Sequence, residues 1–157
     1  MRRTQRGFSL IELLIVVAII LIIAAIAVPN LLRARISANE ASAVNSVRAM
    51  TTACITYNST YGEFPPLQAD LGPSSTGTPS STEADLLDQV LGSATAVKSG
   101  YTFVYVAGSG PVISSYTINA DPVSQNQTGI RHLYTDQSGL IRANPTTVAS
   151  VTDSPVN

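Results

Sequence analysis

One apolar run near the N-terminus constrains this chain more than any other feature. From Leu13 to Val28 there is no charge, amide, hydroxyl, glycine or proline. Counted from Phe8, the run is about 21 residues long and would form roughly 30 Å of helix, which is the thickness of a bilayer's hydrocarbon core. The core helix of a soluble protein does not need such a run. The sequence therefore predicts a membrane-spanning helix over residues 8–28.

The charges on either side of this run differ in number. Arg2, Arg3 and Arg6 precede it, and the positive-inside rule then places the N-terminus in the cytoplasm and exports the rest of the chain. Arg33 and Arg35 lie just beyond the other end. They weaken this inference without reversing it.

Two details distinguish the run from a simple anchor. Glu12 lies near its start, where a carboxylate facing lipid costs about 2.5–3.5 kcal/mol on insertion scales, so that a partner or a purpose is expected. The alternative is that Glu12 lies shallow enough to reach headgroups and water.

The junction of Gly7 and Phe8 follows a short basic segment and resembles a cleavage site. An ordinary secretory signal is cut after its apolar region, whereas a cut here would leave the apolar helix on the mature protein.

The sequence Gly7-Phe8-Ser9-Leu10-Ile11-Glu12-Leu13 resembles the N-terminal processing motif of type IV pilins and type II secretion pseudopilins. The resemblance is close through about residue 35. In that family a membrane aspartic peptidase cuts after the glycine and N-methylates the new terminus. The resemblance implies removal of residues 1–7 as a leader, cleavage between Gly7 and Phe8, and methylation of Phe8. It also matches Glu12 to the family's acidic residue and Pro29 to the proline that often follows the apolar run.

Cleavage would give Glu12 a possible partner. The new amine at Phe8 would lie four residues before this carboxylate, and in a staggered bundle of helices the Glu12 of one copy could meet the amine of a neighbour. A buried charge is costly when unpaired, whereas a paired one can specify register. The hypothesis is that Glu12 selects the register of assembly.

Composition and length indicate one small domain plus an anchor. Without the three arginines of residues 1–7, nine basic residues become six against ten acidic ones. This mildly acidic balance gives no support for a nucleic-acid interface. Cys54 is the single cysteine, so an intrachain disulfide is impossible. Many type IV pilins pin a C-terminal loop with a disulfide. This departure favours either a pseudopilin or a short pilin variant whose C-terminal region is held by other means.

The helix is predicted to continue over residues 29–61. Apolar residues recur there at three- and four-residue spacing, and Cys54 falls among them as a packing residue. Pro29 is expected to kink or loosen the helix, because it removes a backbone hydrogen bond. Gly62 and the prolines after it should end the helix.

Residues 62–157 are predicted to form a globular head. We expect an irregular loop over 62–82 and a short helix over 83–91 begun by Ser80 and Glu83 as a capping box. A period-two pattern then predicts antiparallel strands between 100 and 142, the first over 101–106 and the second over 112–118. The strands are expected to form a meander of three or four, laid across the long helix. The tail beyond Asn144 should have little to bury. The predicted fold class is α+β, with a long N-terminal helix and a small antiparallel sheet.

No catalytic constellation is evident in the sequence. His132 is expected to be structural or exposed, and no nucleophile–base spacing, metal cluster or phosphate loop is present. Asp121, Asp136 and Asp153 are weak candidates for calcium, although solvated turn carboxylates explain them more simply. We therefore expect no cofactor. The aromatic residues near the helix end are expected to pack the head on the helix.

The sequence thus predicts a structural filament subunit and not an enzyme. Its resemblance implies a single-pass precursor in a bacterial inner membrane, then a homo-oligomeric filament in the periplasm or at the cell surface. The implied partners are the prepilin peptidase and methyltransferase, an assembly ATPase, inner-membrane platform proteins and the lipid bilayer. A type IV pilus subunit is the first interpretation and a type II secretion pseudopilin the alternative. A membrane-anchored binding domain is a third, which would require a clefted head with clustered polar groups.

Overall fold

The computed structural model describes residues 8–156. Their contacts divide the chain into two compact units, one ending at Arg35 and the other beginning at Ile36. The elements in chain order are α1 (Leu10–Tyr61), a 3₁₀ helix (Gln68–Leu71), β1 (Ala96–Lys98), β2 (Tyr101–Ala107), β3 (Tyr116–Pro122), β4 (His132–Asp136), β5 (Arg142–Asn144) and β6 (Ser154–Pro155).

The first unit is the early part of α1. Every residue from 8 to 35 is exposed except Ala24, which is half-buried. Within the described residues, α1 is the one helix long and apolar enough to cross a membrane, as judged by length and composition. α1 continues through Pro29 as one helix. The kink expected at Pro29 stays a prediction.

The second unit packs the later part of α1 against an antiparallel sheet. The six strands lie in the order β1-β2-β3-β4-β5-β6, so every strand pairs with its neighbour in sequence. α1 ends at Tyr61, where the sequence predicts its end, and Gly62 follows with a φ of +83°, a conformation that favours glycine. This architecture confirms the predicted α+β class, with six strands rather than three or four.

The core of the second unit forms between one face of α1 and the inner face of the sheet. Successive side chains of a strand point to opposite faces of the sheet, so every second one faces α1. The register pairs Phe103 with Ala120 and Ile118 with Thr135. The fully buried large side chains include Val47, Met50, Cys54, Tyr101, Phe103, Tyr116, Ile118 and Leu133. β2 is rich in β-branched and aromatic residues, which favour strands, and its buried side chains belong to this core. The prediction of β2 from the sequence is therefore confirmed.

The predicted short helix over residues 83–91 is wrong. The structure has turns and irregular chain there, because the backbone N–H groups are used elsewhere. Those of residues 84–87 donate to the carbonyls of Asp70, Gly72 and Leu71 at 2.8–3.1 Å. The Glu83 carboxylate accepts the backbone N–H and hydroxyl of Ser75, both at 2.8 Å, instead of capping a helix. Tertiary contacts have overridden local propensity.

Two further expectations about the head are corrected. The second strand begins at Tyr116 and not near residue 112, because Ile113 donates its N–H to Glu63 and accepts the N–H of Phe64. The tail does bury a residue: Ala149 is 3% exposed, and β6 adds a strand beside β5. The hydrogen bonds of these segments reach distant residues, so local sequence patterns did not predict them.

Candidate functional site

The start of α1 gives Glu12 a partner within its own chain. The backbone N–H of Ser9 donates to Oε2 of Glu12 at 2.9 Å, while the Ser9 carbonyl accepts the N–H of Leu13 at 3.2 Å. Ser9 is therefore the residue before the helix, and Glu12 is the third residue within it. This is one half of a capping box, a motif whose Ser-x-x-Glu spacing is plain in the sequence but was not used in the predictions above.

The geometry changes the interpretation of the Glu12 carboxylate. It does not lack a hydrogen-bond partner in the single chain, and its negative charge lies in the first turn of α1, where the helix dipole favours it. Phe8 is 82% exposed two residues away from the helix start. Gly7, on the other side of the predicted cleavage site, lies outside the described residues.

A polar cluster that the sequence did not predict joins the later part of α1 to the chain just before β4. Glu40 accepts the N–H groups of Ile130 and Arg131 at 2.9 and 3.1 Å and the Arg131 guanidinium at 2.8 Å. Asn39 donates to the carbonyl of Thr128 at 2.8 Å. The partners are about ninety residues apart in the chain, so no local pattern could reveal them.

These contacts also set the charge state of Glu40. Burial by itself would raise the pKa of its carboxyl. The hydrogen bonds from the backbone of Ile130 and from the side chain and backbone of Arg131 outweigh burial and hold the pKa below its ordinary value. Glu40 is therefore a charged anchor at neutral pH.

Cys54 is in the core, as predicted. It is fully buried, and this burial raises the pKa of its thiol to about 12. A thiol at such a pKa is almost never a thiolate at neutral pH, so its reactivity is low. The packing interpretation fits these facts.

The aromatic residues near the end of α1 pack against the head. The rings of Tyr57 and Tyr61 lie 4.5 Å apart, and Phe64 contacts Tyr116 edge-on at 4.8 Å.

The three aspartates proposed as weak calcium candidates have separate partners. Asp121 contacts Nδ1 of His132 at 2.6 Å, and Asp136 accepts the N–H of Ser138 at 2.8 Å. Asp153 accepts the N–H of Ser150 at 2.7 Å. Over residues 8–156, no group of three or more His, Cys, Asp or Glu side chains is placed to hold a metal ion. The structure therefore does not bring the three together as one ligand set.

Asp153 is instead the centre of a contact set that fixes the tail, which we call the tail latch: Arg142, Asn144, Ser150 and Asp153. The Asn144 amide donates to the Asp153 carboxylate at 2.8 Å, and the Arg142 guanidinium donates to the Asp153 carbonyl at 2.9 Å. Just before Ser150 in the tail, the carbonyl of Ala149 accepts the side-chain amide of Asn119 at 3.0 Å. Hydrogen bonds thus hold the C-terminal region of a chain that cannot form an intrachain disulfide.

One groove of the second unit, beside the later part of α1, does not have the chemistry of a catalytic cleft. It has a volume of about 710 Å³, and its floor is formed by small residues of α1, among them Ala38, Ala41 and Ala49. Its two charged residues, Asp88 and Lys98, form an ion pair with each other at 2.9 Å. A membrane-anchored binding domain would need convergent polar groups in such a groove, and this one offers an open, small-residue surface.

Comparison with known proteins adds to this geometry. Residues 2–28 match the family model described as the prokaryotic N-terminal methylation motif. The chain is 63% identical over 38 residues to the type IV wide pilus major component PilA4 of Thermus thermophilus, covering 24% of this chain and 29% of that protein. It is 49% identical over 49 residues to the type IV major pilin protein PilA of Myxococcus xanthus, covering 31% of this chain and 22% of the relative.

A third relative belongs to a secretion system. The chain is 32% identical over 72 residues to the type II secretion system core protein G of Dickeya chrysanthemi, covering 46% of this chain and 47% of that protein. The chain therefore spans less than half the length of each of these relatives. No solved structure matches it significantly.

The apolar helix, the methylation motif and these relatives make the chain similar to the family of type IV pilins and type II secretion pseudopilins. The relatives are named as pilus components and a secretion-system protein, and none of these names describes an enzyme. Both branches of the family are represented among them.

Proposed function

We propose that this chain is a structural subunit of a type IV pilus-like filament. One observation carries the proposal: the methylation motif is joined to a helix whose apolar residues up to Leu32 are exposed, apart from the half-buried Ala24. Such a surface is stable only against lipid or against other apolar helices. A precursor held in a bilayer and then drawn into a bundle of identical helices satisfies both conditions in turn.

The processing steps are part of the same proposal. The precursor lies in the inner membrane with Arg2, Arg3 and Arg6 on the cytoplasmic side. A prepilin peptidase cuts between Gly7 and Phe8 and methylates Phe8. Assembly into a periplasmic or surface filament then requires an ATPase and membrane platform proteins, because extraction from lipid needs an external energy source. Glu12 selects the register by pairing with the amine of a neighbouring copy.

A type II secretion pseudopilin is the second candidate. It is favoured by the Dickeya relative, whose match covers a larger share of this chain than either pilin match reported above. The first candidate is favoured by the higher identity of the two pilin matches, 63% and 49% against 32%. Both candidates use the same processing and the same helix, so the location of the mature chain separates them.

Co-expression with a prepilin peptidase tests the processing step. We expect the intact mass of the wild-type chain to fall by residues 1–7 and to carry one added methyl group at Phe8. Gly7→Ala should leave the precursor uncut, whereas Thr4→Ala, inside the same leader, should be cut normally. A precursor that keeps Met1 beside an active peptidase would overturn the proposal.

A further inference from the structure

One side of α1 stays uncovered in the second unit. Arg48, Thr52, Ile55 and Ser59 recur at three- and four-residue spacing and are all exposed, so they form one stripe, which we call the outer face of α1. The stripe is about 16 Å long at 1.5 Å per residue. Ile55 is its large apolar residue and is 51% exposed. The sheet packs against another side of α1, so this face has no partner among the described residues.

The hydroxyl groups of the outer face are already bonded to the helix itself. Thr52 donates its hydroxyl to the carbonyl of Arg48, and Ser59 donates to the carbonyl of Ile55, both at 2.9 Å. Burying a hydroxyl is costly when it loses water without gaining another hydrogen bond, and these two keep their bonds when water is removed. A second surface can therefore cover this face at little cost in lost hydrogen bonds.

Opposite charges lie on two consecutive stretches of the chain. Residues 41–62 carry one charged side chain, Arg48, whereas residues 63–97 carry no basic residue. The carboxylates of the second stretch are those of Glu63, Asp70, Glu83, Asp85 and Asp88. None of the ion pairs formed within residues 8–156 includes Arg48. Its exposed guanidinium is therefore available to a carboxylate of another molecule.

Asp85 is the matching carboxylate. The other four acidic residues of 63–97 accept hydrogen bonds within the chain. Asp85 is exposed, has a φ of +55°, and donates its backbone N–H to the carbonyl of Gly72 at 2.9 Å. Aspartate adopts this conformation most readily when its side chain bonds locally, yet the Asp85 carboxylate accepts no hydrogen bond from the part of the chain that the structure describes. The backbone contacts thus hold an unpaired carboxylate at the surface.

We propose that the outer face of α1 in one copy docks against the segment around Asp85 in a second copy of this chain, with Arg48 paired to Asp85. Asp85 directly precedes Leu86, a half-buried residue that lines the groove beside the later part of α1. Ile55 of the docked copy is then covered by an apolar neighbour. A second copy is the occupant that the charges favour, because the unpaired cation and the unpaired carboxylate belong to the same chain.

The contact joins two different surfaces of the same chain. Such a heterologous contact repeats from copy to copy and builds rings or open fibres, not a two-fold dimer. It rests on the proposed function, because it assumes that copies assemble side by side through the apolar part of α1. It adds a specific contact between the second units of neighbouring copies, which neither the methylation motif nor the apolar run determines.

Charge exchange in the full chain, assembled with its processing and assembly machinery, tests the pairing. Filament yield is measured per processed chain, so an effect on cleavage does not enter the result. We expect Arg48→Glu to lower the yield about tenfold, because it places two carboxylates together, and Asp85→Lys to lower it similarly. The two changes combined should recover most of the lost yield. Arg48→Lys is the matched control, which keeps the charge and should assemble like the wild type.

Cross-linking is a second measurement, and it does not depend on whether lysine is tolerated at the positive φ of Asp85. Chains with Arg48→Cys and chains with Asp85→Cys are assembled together and treated with a short thiol-specific cross-linker. Cys54 is fully buried and should not react. We expect cross-linked pairs in the mixed filaments. Replacing the second chain by one with Gln127→Cys, an exposed residue between β3 and β4, should abolish them.

The outcomes separate this contact from the filament proposal itself. Wild-type filaments together with a normal yield for Arg48→Glu would overturn the docking and leave the proposed function standing. Charge exchange that recovers nothing, with no cross-link, would also overturn it and would assign the outer face to another occupant, such as a lipid surface. If the cleaved wild-type chain forms no filament at all, the proposed function fails, and this contact fails with it.

Discussion

At the scale of single residues, Glu40 contributes most clearly to the stability of the head. Three hydrogen bonds converge on its carboxylate from Ile130 and Arg131, and they join α1 to the chain before β4. Hydrogen bonds to a charged group each contribute about 1.5–3 kcal/mol, so removing the charge should be costly. Nothing in the sequence near Glu40 predicts this, because the partners meet only in the folded chain.

Replacing Glu40 should change both stability and its pH dependence. Glu40→Gln is expected to lower the free energy of unfolding by about 1–3 kcal/mol at neutral pH, since the amide accepts more weakly and cannot pair with Arg131. The folded pKa of Glu40 lies below its unfolded pKa. Its contribution is therefore present above the unfolded value and is lost as the pH falls through the folded one. Denaturant titration of the full chain in detergent between pH 3 and 7 measures both.

Asp85→Asn is the matched control for Glu40, because it neutralises an exposed carboxylate at a position where asparagine tolerates the positive φ of 55°. It should leave stability and its acid dependence close to wild type. Equal losses in the two variants would show that net charge, and not the Glu40 contacts, controls stability.

At the scale of elements, the sequence predicted the helix and strand whose apolar residues recur at a regular spacing. It missed the elements that depend on contacts between residues far apart in the chain. The apolar run and the three- and four-residue spacing predicted α1, and Gly62 with the prolines after it predicted its end at Tyr61. Period-two alternation predicted β2. β1 and β6 are short edge strands of three and two residues, too short for a periodic signal. At the N-terminus, the motif predicted Glu12 as a site residue. Its hydrogen bond to Ser9 was identified only in the structure, although the Ser-x-x-Glu spacing could have predicted it.

The helix predicted over 83–91 is absent because this segment packs against a distant part of the chain. At its end, the backbone of Gly92 lies against that of Gly72, and a Cβ on Gly92 would lie 2.4 Å from the Gly72 Cα. Gly92→Ala should therefore lower the free energy of unfolding by about 1–3 kcal/mol, since the backbones must move apart. Thr95→Ala, three residues further on at an exposed position, should change it by less than about 0.5 kcal/mol. Thermal melts of both variants test this, and a neutral Gly92→Ala would contradict the close docking.

The tail latch is the element that stands in place of a disulfide. Hydrogen bonds from Ser150 and Asn144 lower the pKa of the Asp153 carboxyl, so the latch should be closed at neutral pH and loosen in acid. Asp153→Ala should speed proteolytic cleavage of residues 145–156 by roughly three- to tenfold, because local opening exposes that backbone. Limited proteolysis followed by mass spectrometry locates the cuts.

Two comparisons make the tail experiment specific. Thr147→Ala, an exposed tail position, should be cut at the wild-type rate. A calcium chelator should not change the wild-type rate if hydrogen bonds alone hold the tail. Protection that depends on calcium would instead return Asp153 to the role of a metal ligand.

At the scale of the whole molecule, two kinds of surface have to be accounted for. Residues 8–35 expose their apolar side chains, whereas residues 36–156 bury a core between the later part of α1 and the sheet. The second part thus has an apolar core of its own. The first part needs lipid or other copies, and this need, together with the methylation motif, is the basis for the proposed filament.

The location and N-terminus of the mature chain test this account most directly. Cells are sheared, and the sheared surface fraction and the membranes are analysed by mass spectrometry for the first residue of the chain. The account predicts abundant chain in the sheared fraction, beginning at N-methyl-Phe8. Processed chain held wholly in the envelope would contradict the pilus assignment and favour the pseudopilin. A chain that begins at Met1 in both fractions would contradict the filament account altogether.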